Sequence, residues 1–430
     1  MSFRNAAPPH YRRNAFCLAG DYVLFGVGMA FFSLSTVLPS FVRQLTDSAV
    51  MVGLANAFMN GGWLLPQLLA ARWVRRCPMK KRFAVVSGLI GRPTFWISAA
   101  IITLFGRSRP ELVLVTFYAG FLLFALSDGV CSVAWFELLA KCVPVERRGR
   151  VVGTGQVILG TVSLGIAATI SYLLGPTSGL DFPRNYALLF TLAGFALMVS
   201  LLCIGLIREP EGDDSPTEVH RPGYRHLLRD ILSHDRTFVI LVVTRLLLGF
   251  AGMGHPFYVL HATEVLALGA QSIGLFTLAQ TGAGILGGIT LGYLHERRGS
   301  AAVVQISIVL GLLIPVLALV AHTLAGGPVA ILLLIYVLLF VAIGLLNSSF
   351  MLGFIARYLE IAPEGERAVY MGLANTLNAL CLPATLVGGW ILQMTSYPTL
   401  FVAAAGFALV SVAFGSRASR RGENARPSSY

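Results

Sequence analysis

Twelve stretches of this chain stay apolar for about the 20 residues that a helix needs to cross the hydrocarbon core of a bilayer. They run Phe16–Val42, Ala49–Val74, Arg82–Phe105, Leu112–Cys142, Arg150–Leu174, Pro183–Ile207, Phe238–Ala262, Ala270–Tyr293, Ala301–Leu324, Pro328–Ile361, Ala368–Met394 and Pro398–Phe414. A soluble chain of this length would need a charged skin. Only 12% of the 430 residues are charged, against ~25% in soluble domains, and 56% are hydrophobic, with a mean hydropathy of +0.75. Lipid offers no hydrogen bonds to free backbone groups, so stretches of this length are expected to be helices. The composition points to an all-α membrane protein of twelve transmembrane helices and excludes a set of soluble domains.

The net charge is +12, from 32 Lys and Arg against 20 Asp and Glu. In a soluble protein that excess would raise the question of nucleic acid. Here the basic residues fall in short clusters between apolar runs, which is the pattern of cytoplasmic loops. With both termini inside, 26 of the 32 basic residues face the cytoplasm and four (Arg43, Arg107, Arg109, Arg184) face outward, while Arg92 and Arg245 lie within spans. The six cysteines show no exported pairing pattern, and no cleavable signal peptide is expected ahead of the first span.

One long loop, Arg208–Arg236, divides the spans six and six, predicting an N-terminal bundle over residues 1–208, a cytoplasmic linker over 209–235 and a C-terminal bundle with a tail over 236–430. Glu209–Glu218 reads as solvated linker. Tyr224–His234 sets Leu227, Leu228, Ile231 and Leu232 on one helical face, as an interfacial helix would, though a solvated turn accounts for it equally. The halves repeat. Pro144, Arg148 and Gly153 recur as Pro363, Arg367 and Gly372 at an offset of 219, and Leu45, Leu54 and Gly61 recur as Leu266, Leu275 and Gly282 at 221. Two matches at nearly equal offset indicate duplication. Duplicated six-helix bundles that rock about a shared midplane site give alternating access.

A loop motif carries the resemblance to a known family. Gly292-Tyr-Leu-His-Glu296-Arg297-Arg-Gly299 matches G-x-x-x-[DE]-R-x-G without the terminal basic pair, and Ala71-Arg-Trp-Val-Arg75-Arg76-Cys-Pro78-Met-Lys80-Lys81 is a degenerate copy with Arg75 where the acid belongs. On these motifs and its topology the chain resembles the major facilitator superfamily over its full length. The resemblance implies two pseudo-symmetric six-helix bundles, with Gly292, Glu296, Arg297, Gly299, Arg75 and Arg76 in gating loops. Alternatively, the first copy is a plain positive-inside anchor. The glycines of the fifth span (Gly153, Gly155, Gly160, Gly165) lack the Gly-Pro ending of the family's antiporter signature, which weighs against a typical proton-coupled drug exporter.

An ionised group at mid-bilayer costs about 2.5–3.5 kcal/mol even on the mildest scale. Arg92 and Asp128 are expected at similar depth on neighbouring helices and are read as an intramembrane ion pair. Asp21 either stays at headgroup level or reaches the cavity, where it is the nearest opposite charge for Arg245. The resemblance assigns the first, fourth, seventh and tenth helices to the pathway. Ser33, Asp128, Ser132, Arg245, Tyr258 and Asn347 are thus candidate solute-binding residues, with Asn60 and Trp63 of the second span, Gln280 of the eighth, and Asn375 and Asn378 of the eleventh completing the wall. Each amide could equally serve as interhelical glue. Asp128, then Asp21, are the candidate proton carriers.

The sequence is read as a secondary transporter of a small polar or amphipathic solute in a cytoplasmic membrane, with a preference for efflux, possible proton coupling, no cofactor, no nucleic-acid partner and a monomeric state. It has no phosphate-binding Gly-Lys loop and no His-Glu-x-x-His, so an ATPase or a membrane-embedded metalloenzyme is disfavoured. A receptor or accessory subunit on the same fold is the alternative. Single-cysteine labelling in sealed cells tests the topology: a cysteine at Ser108 should react with an impermeant reagent added outside, whereas one at Ser2 or Ser429 should react only after permeabilisation.

Overall fold

The computed structural model describes residues 10–77, 79–210, 231–233, 235–363 and 367–423, and every regular element among them is helical. Eleven helical spans are long and apolar enough to cross a membrane: Tyr11–Phe31, Lys80–Phe105, Pro110–Cys142, Arg147–Leu174, Arg184–Gly205, Arg236–Glu264, Ser272–Arg298, Ser300–Thr323, Val329–Ile361, Val369–Met394 and Tyr397–Gly415. The twelfth helix, Ala49–Arg76, has 28 residues, but Asn56, Asn60, Gly61, Gly62 and Gln67 dilute its apolar run. The spans group into two compact units, one from each half of the chain, save that Ser48–Leu54 belong to the second unit and Ile273–Leu275 to the first.

Several spans are interrupted where the sequence suggested unbroken helices. The first begins at Tyr11, five residues earlier than expected, and stops at Phe31; a separate helix, Val37–Leu45, follows. Pro39 cannot donate to the carbonyl four residues back, and Ser33, Ser35 and Thr36 offer side-chain alternatives to helical bonding. The break turns Phe32 into an aromatic cluster, with ring centroids 4.9 Å from Phe95, 5.7 Å from Phe121 and 6.3 Å from Phe124. Pro93 divides the third span into Lys80–Gly91 and Thr94–Phe105. A 3₁₀ turn, Gly252–Gly254, precedes Pro256 in the seventh, and another, Ala379–Cys381, precedes Pro383 in the eleventh. The tenth widens into a π-helical segment at Phe350–Ile355.

Small residues set the closest helix crossings. A Cβ on Gly129 would strike the Trp63 carbonyl, joining the second and fourth spans of the first unit, and a Cβ on Gly344 would strike the Gln280 carbonyl, joining the eighth and tenth spans of the second. Without a hydrophobic drive between helices in lipid, such close approach supplies the packing.

Glu209 is not solvated linker. Its carboxylate, 1% exposed, accepts the backbone N–H groups of Lys80 (3.0 Å) and Lys81 (2.9 Å) and meets the Lys141 ammonium at 3.2 Å. It therefore caps the start of the third span, where the unsatisfied N–H groups and the helix dipole favour an anion. In the second unit Asp235 caps the seventh span, accepting from Phe238 N at 2.9 Å, and its other oxygen accepts from Tyr370 at 3.0 Å. Except for Ile231–Ser233, the amphipathic stretch Tyr224–His234 lies outside the described residues. Glu209→Ala removes two cap bonds and the Lys141 partner, so it should lower stability by about 1–2 kcal/mol, read as a fall in the unfolding midpoint in detergent micelles.

Candidate functional site

A polar centre lies inside the first unit, built from the first, third, fourth and sixth spans. Pro93 forces it into being. Because the helix ends at Gly91, the Arg92 guanidinium crosses the bundle instead of following its own helix, and Gly91 lets the fourth span come close, since a Cβ there would strike Ser127. Arg92 is 3% exposed. Its Nη1 donates to the Leu197 carbonyl at 2.7 Å and to Ser200 Oγ at 2.9 Å, and it sits 5.5 Å from the centroid of Phe25. Ser200 in turn donates to Asp21 Oδ1 at 2.5 Å, and Asp21 is 3.9 Å from Arg92 Nη1.

The ion pair is therefore Arg92 with Asp21, not Arg92 with Asp128. Spacing along the chain gave the depth of each residue but not the direction of the guanidinium, which the break at Pro93 turns toward the first and sixth spans. Asp21 is buried inside the first unit, 4% exposed. With the helix starting at Tyr11, it lies ten residues in, roughly 15 Å along the axis. Its charge is used within its own unit.

Asp128 is 7% exposed, and among the described residues its carboxylate has no hydrogen bond and no ion pair. It faces a cavity of about 160 Å³ shared with Asp21, Tyr22, Phe25, Trp63, Arg92, Cys131, Ser132, Trp135 and Phe136. The cavity thus gathers Trp63, Asp128 and Ser132 of the expected wall, and Asp21 and Arg92 join them. Ser132 Oγ is turned back onto the Gly129 carbonyl at 2.8 Å. A larger groove of about 630 Å³ borders the third and fourth spans, but Phe83, Val86, Ile90, Leu123 and Leu126 line it. Such walls suit acyl chains better than a polar solute.

Other expected wall residues are placed elsewhere. Ser33 meets Ser35 at 3.4 Å in the first-span break, and Asn60 is exposed with its amide on the Asn56 carbonyl at 3.0 Å. Tyr258 is fully buried, its ring 5.1 Å from Phe401, so it belongs to a core and not to a wall. Gln280 is partly exposed; Asn347 and Asn375 are exposed and make no hydrogen bond among the described residues. Asn378 donates to the Ala374 carbonyl at 2.8 Å and to Tyr358 at 3.4 Å. In the second unit Arg245 stacks on Phe350, with its carbon 3.6 Å from the ring centroid.

In the loop motif, Gly299 has φ +79°, a left-handed conformation that ends the eighth span and that glycine adopts without penalty. Glu296 and Arg297 are exposed and form no ion pair among the described residues; Arg297 lies 4.3 Å over the Tyr293 ring. The side chains of Arg75 and Arg76 fall outside the described residues.

Sequence reasoning missed Ser200, which bridges the ion pair, since a serine in an apolar run carries no signal of its partner. It also missed a buried chain in the second unit. His261 Nδ1 lies 2.5 Å from the Tyr336 hydroxyl, and His261 Nε2 lies 2.9 Å from His322 Nδ1, although the two histidines are 61 positions apart. Asp21→Ala should cost about 3 kcal/mol because it leaves a buried guanidinium without its counter-charge, whereas Asp128→Ala breaks no bond and should cost under about 1 kcal/mol. Equal losses of unfolding free energy in chemical denaturation would contradict this division.

The sequence profile of the Major Facilitator Superfamily matches residues 22–384. No curated protein sequence matches the chain. Among solved structures, the nucleoside transporter NupG is similar, with TM-score 0.66 and 13% identity over 96% of this chain and 98% of that one. A bacterial homologue of the human lysosomal transporter Spinster, in an inward-facing and unoccupied conformation, gives TM-score 0.67 and 13% identity over 99% and 100%. A D-xylose–proton symporter gives TM-score 0.65 and 15% identity over 94% and 97%. At these identities the likeness is one of fold.

Proposed function

The chain belongs to the major facilitator superfamily, and we propose that it is a secondary active transporter that moves a small polar or amphipathic solute by alternating access, coupled to protons through Asp128. The observation that carries this reading is the unequal fate of two acids around one cation. Arg92 and Ser200 serve Asp21, while Asp128 faces the same cavity without a donor. A carboxylate with no partner at that depth is costly as an anion. A proton, or a cationic group on the solute, removes the cost, and exchange between them is the elementary step of coupling. Asp21, already committed to Arg92, holds the guanidinium in place.

Trp63, Trp135, Phe25 and Tyr22 give the cavity flat apolar walls beside its charges. That mixture fits an amphipathic or ring-bearing solute. The excess of basic residues on one side of the membrane supports a cytoplasmic-membrane protein with both tails inside, and net efflux is the preferred direction. The charges of Asp128 and Arg245 favour a transporter over a receptor or accessory subunit, and a monomer is the expected state.

Reconstitution tests the reading. Solutes that raise the unfolding midpoint of the purified protein are loaded into proteoliposomes, and their movement is followed with and without an imposed pH gradient. The wild type should show gradient-driven accumulation. Asp128→Asn should lose at least ten-fold of it while retaining passive equilibration of the same solute. Accumulation by Asp128→Asn equal to the wild type would remove Asp128 from the mechanism, and indifference of the wild type to the gradient would remove proton coupling.

A further inference from the structure

Arg245 is a cation within a span that has no counter-charge among the described residues. It lies nine residues past Arg236, roughly 13 Å along the seventh helix. It stays protonated at any pH the protein meets. Among the described residues no carboxylate lies within ion-pair distance and none of its N–H groups makes a hydrogen bond. The polar groups nearest to it electrostatically are the neutral Cys381 thiol and Tyr358 hydroxyl. Arg92, the other intramembrane arginine, by contrast turns Nη1 to a carbonyl, a hydroxyl and a carboxylate.

Its support is aromatic. The guanidinium carbon is 3.6 Å from the centroid of Phe350 and 5.8 Å from that of Phe354, both on the π-helical segment of the tenth span. A wider helical turn of this kind is rare and recurs at functional sites. A guanidinium lying over a ring keeps its in-plane N–H fork pointing outward, the geometry that grips two oxygens of a carboxylate or phosphate at once. Arg245 as a whole residue is partly exposed. Beside it, Tyr358 and Asn378 form a polar pair at 3.4 Å, and Gly249, one turn further along, lets Cys381 pack against the same helix.

From this arrangement we infer that Arg245 is an oxyanion-recognition point, and that the solute carries a carboxylate or phosphate group that the fork receives. The inference rests on the transporter reading, and it narrows the polar solute to one that carries an anionic group, whether or not it also carries a cationic one. The stacking on Phe350 pre-orients the fork, so the anion meets a fixed pair of donors rather than a mobile side chain.

The test is a thermal-shift titration of the full-length protein in detergent at constant sodium chloride. The probes are lactate, succinate, gluconate, inorganic phosphate and glucose 6-phosphate, set against their uncharged counterparts glycerol, succinamide and glucose. At least one anion should raise the unfolding midpoint while its uncharged counterpart does not. Arg245→Gln should weaken that response roughly ten- to a hundred-fold in apparent affinity, the worth of a charge-assisted hydrogen bond, and Arg245→Lys should fall between. If Arg245→Gln does not fold, Arg245→Lys takes its place: it keeps the charge but not the fork, and an anion response equal to the wild type's overturns the assignment of Arg245. Stabilisation by phosphatidylglycerol but by no soluble anion overturns the solute assignment, as does an anion response unchanged in Arg245→Gln or no anion response at all. Binding without gradient-driven movement in vesicles would sink the transport reading and keep this one; transport of an uncharged solute unaffected by Arg245→Gln would do the reverse.

Discussion

A cation buried in a bilayer cannot draw on water, so the protein must bring its counter-charge to it, and the organisation of the first unit follows from meeting that demand for Arg92. The guanidinium reaches the first and sixth spans only because Pro93 ends the helix that carries it. Ser200 and the Leu197 carbonyl then hold it, and Asp21 neutralises it. With one positive charge taken by one acid, the second acid, Asp128, is left exposed to the cavity. The site's chemistry is thus a remainder of the charge balance that keeps the bundle together.

The second unit meets a similar problem in another way. Arg245 is placed on an aromatic platform instead of against a carboxylate, and a cation–π contact contributes only about 0.5–2 kcal/mol. The neutralisation is incomplete. The halves, duplicated in sequence, have diverged in the sign of the charge they leave available: an acid in the first and a base in the second. Their termini are secured by local devices as well. Glu209 caps the third span and Asp235 the seventh, so these two helix starts are fixed by carboxylates drawn from the segments that join or precede them.

Interruptions give the spans their function. Unbroken helices would point each side chain along a predictable spiral and would hold the carbonyls in their own ladders. At Phe32–Thr36, Arg92–Pro93 and Phe350–Ile355 the ladder loosens, and each break moves a large or charged side chain to a place where helical periodicity does not put it. Phe32 joins the aromatic cluster, Arg92 turns across the bundle, and Phe350 lies under Arg245.

The sequence alone determined that the chain spans a membrane, that it does so with twelve helices and that it belongs with the major facilitators, because apolar run length and a loop motif are local properties that lipid makes obligatory. It also singled out Asp21, Arg92, Asp128 and Arg245, since a charge in an apolar run is conspicuous whatever the fold. Only the tertiary structure decided which acid Arg92 holds, that Glu209 is a buried cap, that Tyr258 is core, and that His261 meets Tyr336 and His322. Pairing depends on the direction of a side chain after a helix breaks and on which distant helix comes close. Neither is encoded in the spacing between residues, because two groups at the same depth are partners only if the backbone turns them toward each other.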